Sequence, residues 1–234
     1  MQRVAPTGCP SIDKLLGGGF PSDGVSLVYG EAETGKTSLA IQCAINCARM
    51  GYKSFFIDSD DSFSSRRLSQ IAHQDNEKVS PFIYLMKPTT FQEQSRVIDH
   101  LEEYTTRKFG LVVIDTIASL YRVKLDGSKL TFALNRELNR QVALLTQFAK
   151  TRRVAALIIS QVRNVFLEDR VNMEPVASRV LRFWSDIVLK LALTSQTRVI
   201  KALLEKHPER KGSTTCYARI EETGIRDYKP SNNQ

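Results

Sequence analysis

No run of apolar residues in this 234-residue sequence approaches the ~20 that a membrane-spanning helix needs. The opening MQRVAPTG also lacks the apolar core of a secretory leader. Cysteine is scarce: Cys9, Cys43, Cys47 and Cys216 are too few and too scattered for a disulfide scaffold. Cys43 and Cys47 lie one turn apart in an almost wholly apolar stretch, which reads as core packing. No further cysteine or histidine stands near them to complete a metal site. A reduced, cytoplasmic setting fits this usage. Internal repeats and interdomain linkers are missing too. Apolar and charged contents of 42% and 25% are ordinary for a globular chain. One large domain over residues 1–228 is expected, with 229–234 (KPSNNQ) as a disordered tail. Only six residues precede Thr7, so no accessory domain is expected ahead of it.

Acidic residues run short in the second half. Residues 121–234 hold 21 Lys+Arg against 11 Asp+Glu, whereas residues 1–120 hold 12 against 14. The whole basic excess therefore lies downstream, and an anionic partner such as nucleic acid is the natural inference. A solvated basic surface without a partner is the plain alternative.

What is present is organised around residues 30–37, GEAETGKT, which match G-x-x-x-x-G-K-[ST]. Residues 25–29 (VSLVY) before the match read as a buried strand, and residues 38–50 after it as a helix ending at Gly51. In such a loop successive backbone N–H groups curl around phosphate, and the helix N-terminus adds a favourable dipole. The motif assigns nucleotide contact to Gly30, Glu31, Ala32, Glu33, Thr34, Gly35, Lys36, Thr37 and Ser38. Lys36 would reach the β- and γ-phosphates of ATP, and the Thr37 hydroxyl would ligate Mg2+.

Along the chain, residues 7–24 suggest a short helical turn around Ile12, Leu15 and Leu16, then a glycine–proline turn. Residues 53–58 (KSFFID) are a second strand ending in the acidic cluster Asp58, Asp60 and Asp61, with a helix over 64–73. A short strand is expected at 82–86. Thr90 and Glu93 have capping-box spacing before a helix with Phe91, Val97, Ile98, Leu101 and Tyr104 on one face. Residues 111–114 form an apolar strand ending at Asp115, and 131–150 a long amphipathic helix. A buried strand over 154–160 ends at Gln161. A loop-rich stretch follows to Phe183, then three strand-like runs at 186–193, 198–204 and 215–220 with hairpin-length connections. Alternating strands and helices, with strands apolar throughout, predict an α/β fold with a mostly parallel sheet flanked by helices and C-terminal antiparallel strands.

Asp115, ending its strand 79 residues after Lys36, can hold Mg2+ through a water. Hydrolysis also needs a carboxylate to orient the attacking water, and Asp60 is the choice within its cluster. Gln161 could hydrogen-bond a γ-phosphate. Lys36, Asp60, Asp115 and Gln161 are therefore the expected catalytic set.

These pieces together resemble the RecA/RadA recombinase superfamily, and most closely its archaeal RadB paralogues. The strings that carry the resemblance are TG..SIDKLLGGG, GEAETGKTSLA, FIDSDDSFSSRRL, LVVIDTIASLYR, RELNRQVALL, IISQVRN, FWSDIVLKL and LLEKHPER. The resemblance implies a RecA-like P-loop ATPase core. It further implies an accessory factor of recombination and repair that binds ATP and DNA, turns ATP over feebly, performs no strand exchange and partners a RadA-type recombinase. A monomer or small oligomer is expected, since the linker with the Phe-x-x-Ala polymerisation motif is missing. By the same resemblance, residues 121–130 and 162–182 face DNA, single-stranded rather than duplex. Arg122, Lys124 and Lys129 lie in the first stretch; Arg163, Arg170, Arg179 and Arg182 lie in the second. Tyr121 and Phe166 would stack on bases, and Lys206 and Arg210 match a region that offers basic fingers to a neighbour's nucleotide. Two positions depart from the family pattern: Asp-Thr-Glu-Gly appears as Asp58-Ser59-Asp60-Asp61, and a pair of glycines as Ala177-Ser178. Two rivals stay open, a KaiC-like signalling ATPase or autokinase and a non-catalytic, ATP-gated scaffold.

Overall fold

The computed structural model describes residues 4–123, 128–167, 170–210 and 212–228; the side chains of 123–130 and 164–172 also lie outside the description. The tail expected at 229–234 falls outside it as well. In chain order the elements are β1 (Val4–Ala5), α1 (Pro10–Leu16), β2 (Phe20–Pro21), β3 (Val25–Gly30), α2 (Lys36–Arg49), β4 (Lys53–Asp58), α3 (Ser65–Ala72), α4 (Asn76–Val79), β5 (Ile83–Met86), α5 (Phe91–Asp99) and α6 (Leu101–Tyr104). There follow β6 (Phe109–Asp115), α7 (Ser119–Val123), α8 (Ser128–Arg152), β7 (Ala155–Leu167), β8 (Arg170–Pro175), α9 (Ser178–Trp184), β9 (Ile187–Leu193), β10 (Val199–Lys206), β11 (Thr214–Glu221) and β12 (Gly224–Asp227).

The main sheet runs β12-β11-β10-β9-β3-β7-β6-β4-β5. From β9 to β5 every neighbouring pair is parallel, while β10, β11 and β12 continue it as an antiparallel meander. Parallel strands need helical crossovers, which cover both faces and bury both sides of each strand. All of β3 and β6 is accordingly buried. The two-residue period sends Val28, Phe56, Val113 and Leu157 into the core under α1, α2 and α3. Leu27, Ile57, Val112 and Ile158 point the other way, into the core under α5, α8 and α9.

Register positions the site. In the β3–β7 pair Gly30 stands opposite Gln161, and in the β4–β6 pair Asp58 stands opposite Asp115. Four widely separated segments thus meet in one row at the carboxyl edge of the parallel pairing, where open α/β sheets bind ligands. The meander packs on that row from one side. A Cβ on Gly35 would stand 3.1 and 3.2 Å from the Ile220 and Ile225 side chains. Buried Gln42 on α2 accepts from Ile225 N at 2.7 Å and donates to Ile225 O at 3.1 Å.

In the stretch expected to be loop-rich up to Phe183, the described residues form strand and helix instead. β7 runs on past Gln161 and folds back as β8, with Arg163 opposite Glu174 and Asn164 opposite Met173. Val162, Val165, Phe166 and Val171 supply strand-forming residues on both arms. α9 then follows. Its N-cap, Ala177, has no side-chain cap and sits at φ 56°, so the usual start signal is missing. The first expected DNA-facing stretch, 121–130, likewise has helix at both ends, in α7 and α8.

Candidate nucleotide site and the adjoining arginine cleft

The loop between β3 and α2 begins at Gly30, where a Cβ would come 2.1 Å from Leu191 O. Glu33 and Gly35 both adopt left-handed backbone, at φ 64° and 81°. Such alternation turns successive N–H groups toward one side and makes an anion nest. Thr34 braces the turn by donating its hydroxyl to Glu31 O at 2.8 Å. Lys36 is buried and donates its ammonium to Glu31 O and to Thr34 Oγ1, the latter at 3.4 Å. Burial pulls its pKa below the ordinary lysine value, and Asp115, Asp60 and Glu31 oppose that pull. Ala32 and Glu33 are exposed. Ser38 is engaged elsewhere: its Oγ accepts from Arg67 Nε at 3.0 Å, while Arg67 also donates to Glu221 O and Glu222 O at 2.8 Å each.

Lys36, Thr37, Asp60, Asp115 and Gln161 line one cleft of about 370 Å³, together with Ala32, Ser62 and Thr116. Asp115 is 1% exposed. Burial, assisted by the charges of Asp60 and Asp58, pushes its carboxyl up to about 7, against hydrogen bonds from Thr37 and Ser62 that lower it. Ser62 Oγ donates to Asp115 Oδ2 at 3.2 Å and lies 3.5 Å from Thr37 Oγ1. Asp115 Oδ1 is buried with no hydrogen-bond donor among the described residues. A buried carboxylate oxygen without a donor, beside a threonine hydroxyl, is the oxygen-only donor set that a hard divalent cation takes.

The acidic cluster divides its labour. Asp58 is buried and accepts from Ser62 N and Phe63 N at 2.9 and 3.1 Å, which folds the turn. Asp61 pairs with Lys87 and sits at φ 57°, so the position where the family pattern has glycine keeps a glycine-like backbone. Asp60 alone of the three faces the cleft, and its Oδ2 accepts from Gln161 Nε2 at 3.3 Å. Ser62 carries no sequence signal. Its place follows from the turn built by Asp58, and no motif announces it.

Beyond Gln161 lies a second cleft, of about 680 Å³, lined by Arg122, Arg163, Arg179, Tyr121, Thr131 and Asn135 among others. Arg122 links the two clefts, donating from Nη1 to Gln161 Oε1 at 3.3 Å. The structure thus brings three of the seven expected DNA-contacting cations together. Lys124 lies outside the described residues, as do the side chains of Lys129, Arg170 and Phe166.

Three of the expected roles fall on residues with other contacts within the chain. Arg182 is committed elsewhere, pairing with Glu205 at 2.8 Å and donating to the Tyr29 hydroxyl at 2.8 Å. It therefore ties α9 to β10 and β3. Tyr121 is no stacking platform: it is buried, its hydroxyl donates to Asn135 Oδ1 at 2.8 Å and its ring meets Phe91 edge-on. Arg210 caps α1 of its own chain, donating to Leu15 O and Lys14 O at 2.9 and 3.0 Å, and Lys206 donates to Arg182 O at 3.2 Å.

Comparison with known proteins agrees with this geometry. A profile of the Rad51 family matches residues 3–228. The DNA repair and recombination protein RadB of Methanococcoides burtonii is 32% identical over 218 residues, covering 93% of this chain and 95% of that protein. The protein of the same name from Thermococcus kodakarensis is 35% identical over 228 residues, with 95% and 99% covered. A solved structure described as the crystal structure of the RadB recombinase superposes with a TM-score of 0.82 at 33% identity, covering 97% of this chain and all of that one.

Proposed function

The chain belongs to the Rad51 family, and from that premise we propose that it is a RadB-like accessory protein of homologous recombination and DNA repair. It binds ATP with Mg2+, contacts DNA, hydrolyses ATP weakly and performs no strand exchange of its own. The observation that carries this reading is the row of Gly30, Asp58, Asp115 and Gln161 at one sheet edge, with Lys36, Thr37 and Asp60 in the cleft it forms.

The backbone N–H groups of residues 31–37 and the α2 N-terminus hold the phosphates, with Lys36 supplying a positive charge. Thr37 and Asp115 would hold Mg2+, and Ser62, in reach of both side chains, orients them. Bound Mg2+ supplies neutralisation of charge developing on the β- and γ-phosphates. Asp60 orients the attacking water, and its reach is one methylene shorter than a glutamate's. Gln161, which touches both Asp60 and Arg122, relates the nucleotide cleft to the arginine cleft. Arg122, Arg163 and Arg179 supply phosphate contacts to DNA, single-stranded by preference. The protein partner is a RadA-type recombinase, the assembly a monomer or small oligomer, and the compartment the cytoplasm. Among the described residues no helix is long and apolar enough to cross a membrane.

Lys36→Ala tests the nucleotide assignment. Calorimetric titration with Mg-ATP should show affinity abolished while the far-ultraviolet spectrum and melting curve stay near wild type. Wild-type affinity in the variant contradicts the assignment.

A further inference from the structure

A buried polar cluster lies behind the loops that carry Asp60 and Asp115, and the nucleotide chemistry above makes no use of it. Gln94 on α5 and Gln141 on α8 are both fully buried. Gln94 Oε1 accepts from Ser59 Oγ at 2.8 Å. Its Nε2 donates to Ile117 O at 3.1 Å and to Gln141 Oε1 at 2.8 Å. A carboxamide in a core costs free energy unless its atoms are paired, and in Gln94 the oxygen and both N–H groups are used. An unbranched apolar side chain would fill similar space without that demand, so what the carboxamide adds is direction.

The direction is informative. Ser59 immediately precedes Asp60, and Ile117 follows Asp115 by two residues. The two loops already touch through Ser59 N donating to Asp115 O at 2.7 Å. Ser119 Oγ adds bonds to Ser59 O and Thr116 O at 2.9 and 3.0 Å. Gln94 comes from a third element and grips both loops. That element is itself anchored: Thr90 Oγ1 caps the Glu93 N–H at 3.1 Å, and Phe91 and Val97 are buried beside it. Ile117 O can only accept, so it fixes which way round the Gln94 amide sits.

We propose that Gln94 is a positioning residue, holding the Asp60 loop at a set offset from the Asp115 loop so that both carboxylates meet one Mg-nucleotide. This rests on the nucleotide reading given above. Sub-ångström placement of such groups matters, since a displacement of about 1 Å at a reacting centre can cost ~10²-fold in rate.

The test compares the full chain with Gln94→Met and with Ser59→Ala, which deletes the other end of the grip at little cost in volume. Hydrogen–deuterium exchange of the free protein should accelerate about tenfold or more in peptides spanning 58–63 and 115–119, with α2 and β3 unchanged. Calorimetry should find ATP affinity in EDTA within about twofold of wild type, because the Lys36 loop is untouched. The gain in affinity on adding Mg2+ should fall about tenfold. Unchanged exchange, or acceleration throughout the protein, overturns the proposal. Local acceleration with an unchanged Mg2+ gain overturns its functional half and leaves a packing role. If wild-type protein binds no ATP at all, the nucleotide reading fails, and the exchange comparison still decides whether Gln94 holds the loops.

Discussion

Gln161, at the end of the buried part of β7, donates its Nε2 to the Asp60 carboxylate at 3.3 Å across 101 residues of sequence. Its Oε1 accepts from Arg122 at 3.3 Å on the opposite side. One carboxamide therefore touches the carboxylate of the nucleotide cleft and a cation of the arginine cleft. Its neighbour across the sheet is Gly30, the first residue of the phosphate loop.

Asp60→Glu should raise kcat severalfold or more with Mg-ATP affinity unchanged. The aspartate faces the cleft but is one methylene short of a glutamate, and misplacement by about 1 Å can cost ~10²-fold. Steady-state phosphate release checks this. Turnover no faster than wild type, at equal ATP affinity, removes Asp60 from the role.

Ala177→Gly should stabilise the fold by about 0.5 kcal/mol and raise Tm by ~1–2 °C. Ala177 caps α9 at φ 56°, ψ 37°, a conformation that costs an L residue ~1–2 kcal/mol. Glycine removes that strain, offset by ~0.5–1 kcal/mol of extra unfolded-chain entropy. Differential scanning calorimetry reads the result, and a lower Tm means the alanine methyl packs better than its backbone is strained.

The Asp115 carboxyl, raised to about 7 by burial, makes stability depend on pH. A carboxyl whose folded pKa lies above its unfolded value favours folding in its protonated form. That contribution is complete below the unfolded value of 3.8 and disappears as pH rises through about 7. Asp115→Asn, neutral at every pH, should therefore melt higher than wild type at pH 8 in EDTA without nucleotide. The gap should shrink steadily toward pH 5. A gap independent of pH contradicts the burial argument.

Much of the nucleotide site is legible without coordinates because it is local. The phosphate loop is contiguous, and KSFFID is bounded by its own residue types, so β4 coincides with the expected strand. The capping box at Thr90 is nearly so. Thr90 Oγ1 accepts the Glu93 N–H as expected, but Glu93 Oε2 reaches back to Thr89 N and Oγ1 at 2.8 Å rather than to Thr90. What stays hidden depends on tertiary partners. Arg182 looks like a free cation until Glu205 and Tyr29, 23 and 153 positions away, are brought beside it. Tyr121 looks like an exposed ring until Phe91 and Asn135 close over it. β8 is obscured because the apolar run of β7 ends at Gln161 in sequence, and α9 because its cap is an alanine. Gln94 gives no sign of its grip on two loops, since buried and exposed glutamines read alike.

DNA affinity tests most directly whether the arginine cleft contacts DNA, as proposed, and whether it responds to the nucleotide cleft through Gln161 and Arg122. Fluorescence anisotropy of a labelled single-stranded oligonucleotide should be titrated with and without Mg-ATP over a range of salt. Wild type and an Arg122→Ala, Arg163→Ala, Arg179→Ala variant should be compared. Wild type should bind, with an affinity that changes when Mg-ATP is present. The variant should bind more weakly, and its plot of log affinity against log salt should flatten by ~0.7 for each phosphate it no longer neutralises, ~2 in all. ATP affinity should stay near wild type. Absence of DNA binding by wild-type protein in both nucleotide states would contradict the account, as would an unchanged affinity and salt slope in the variant.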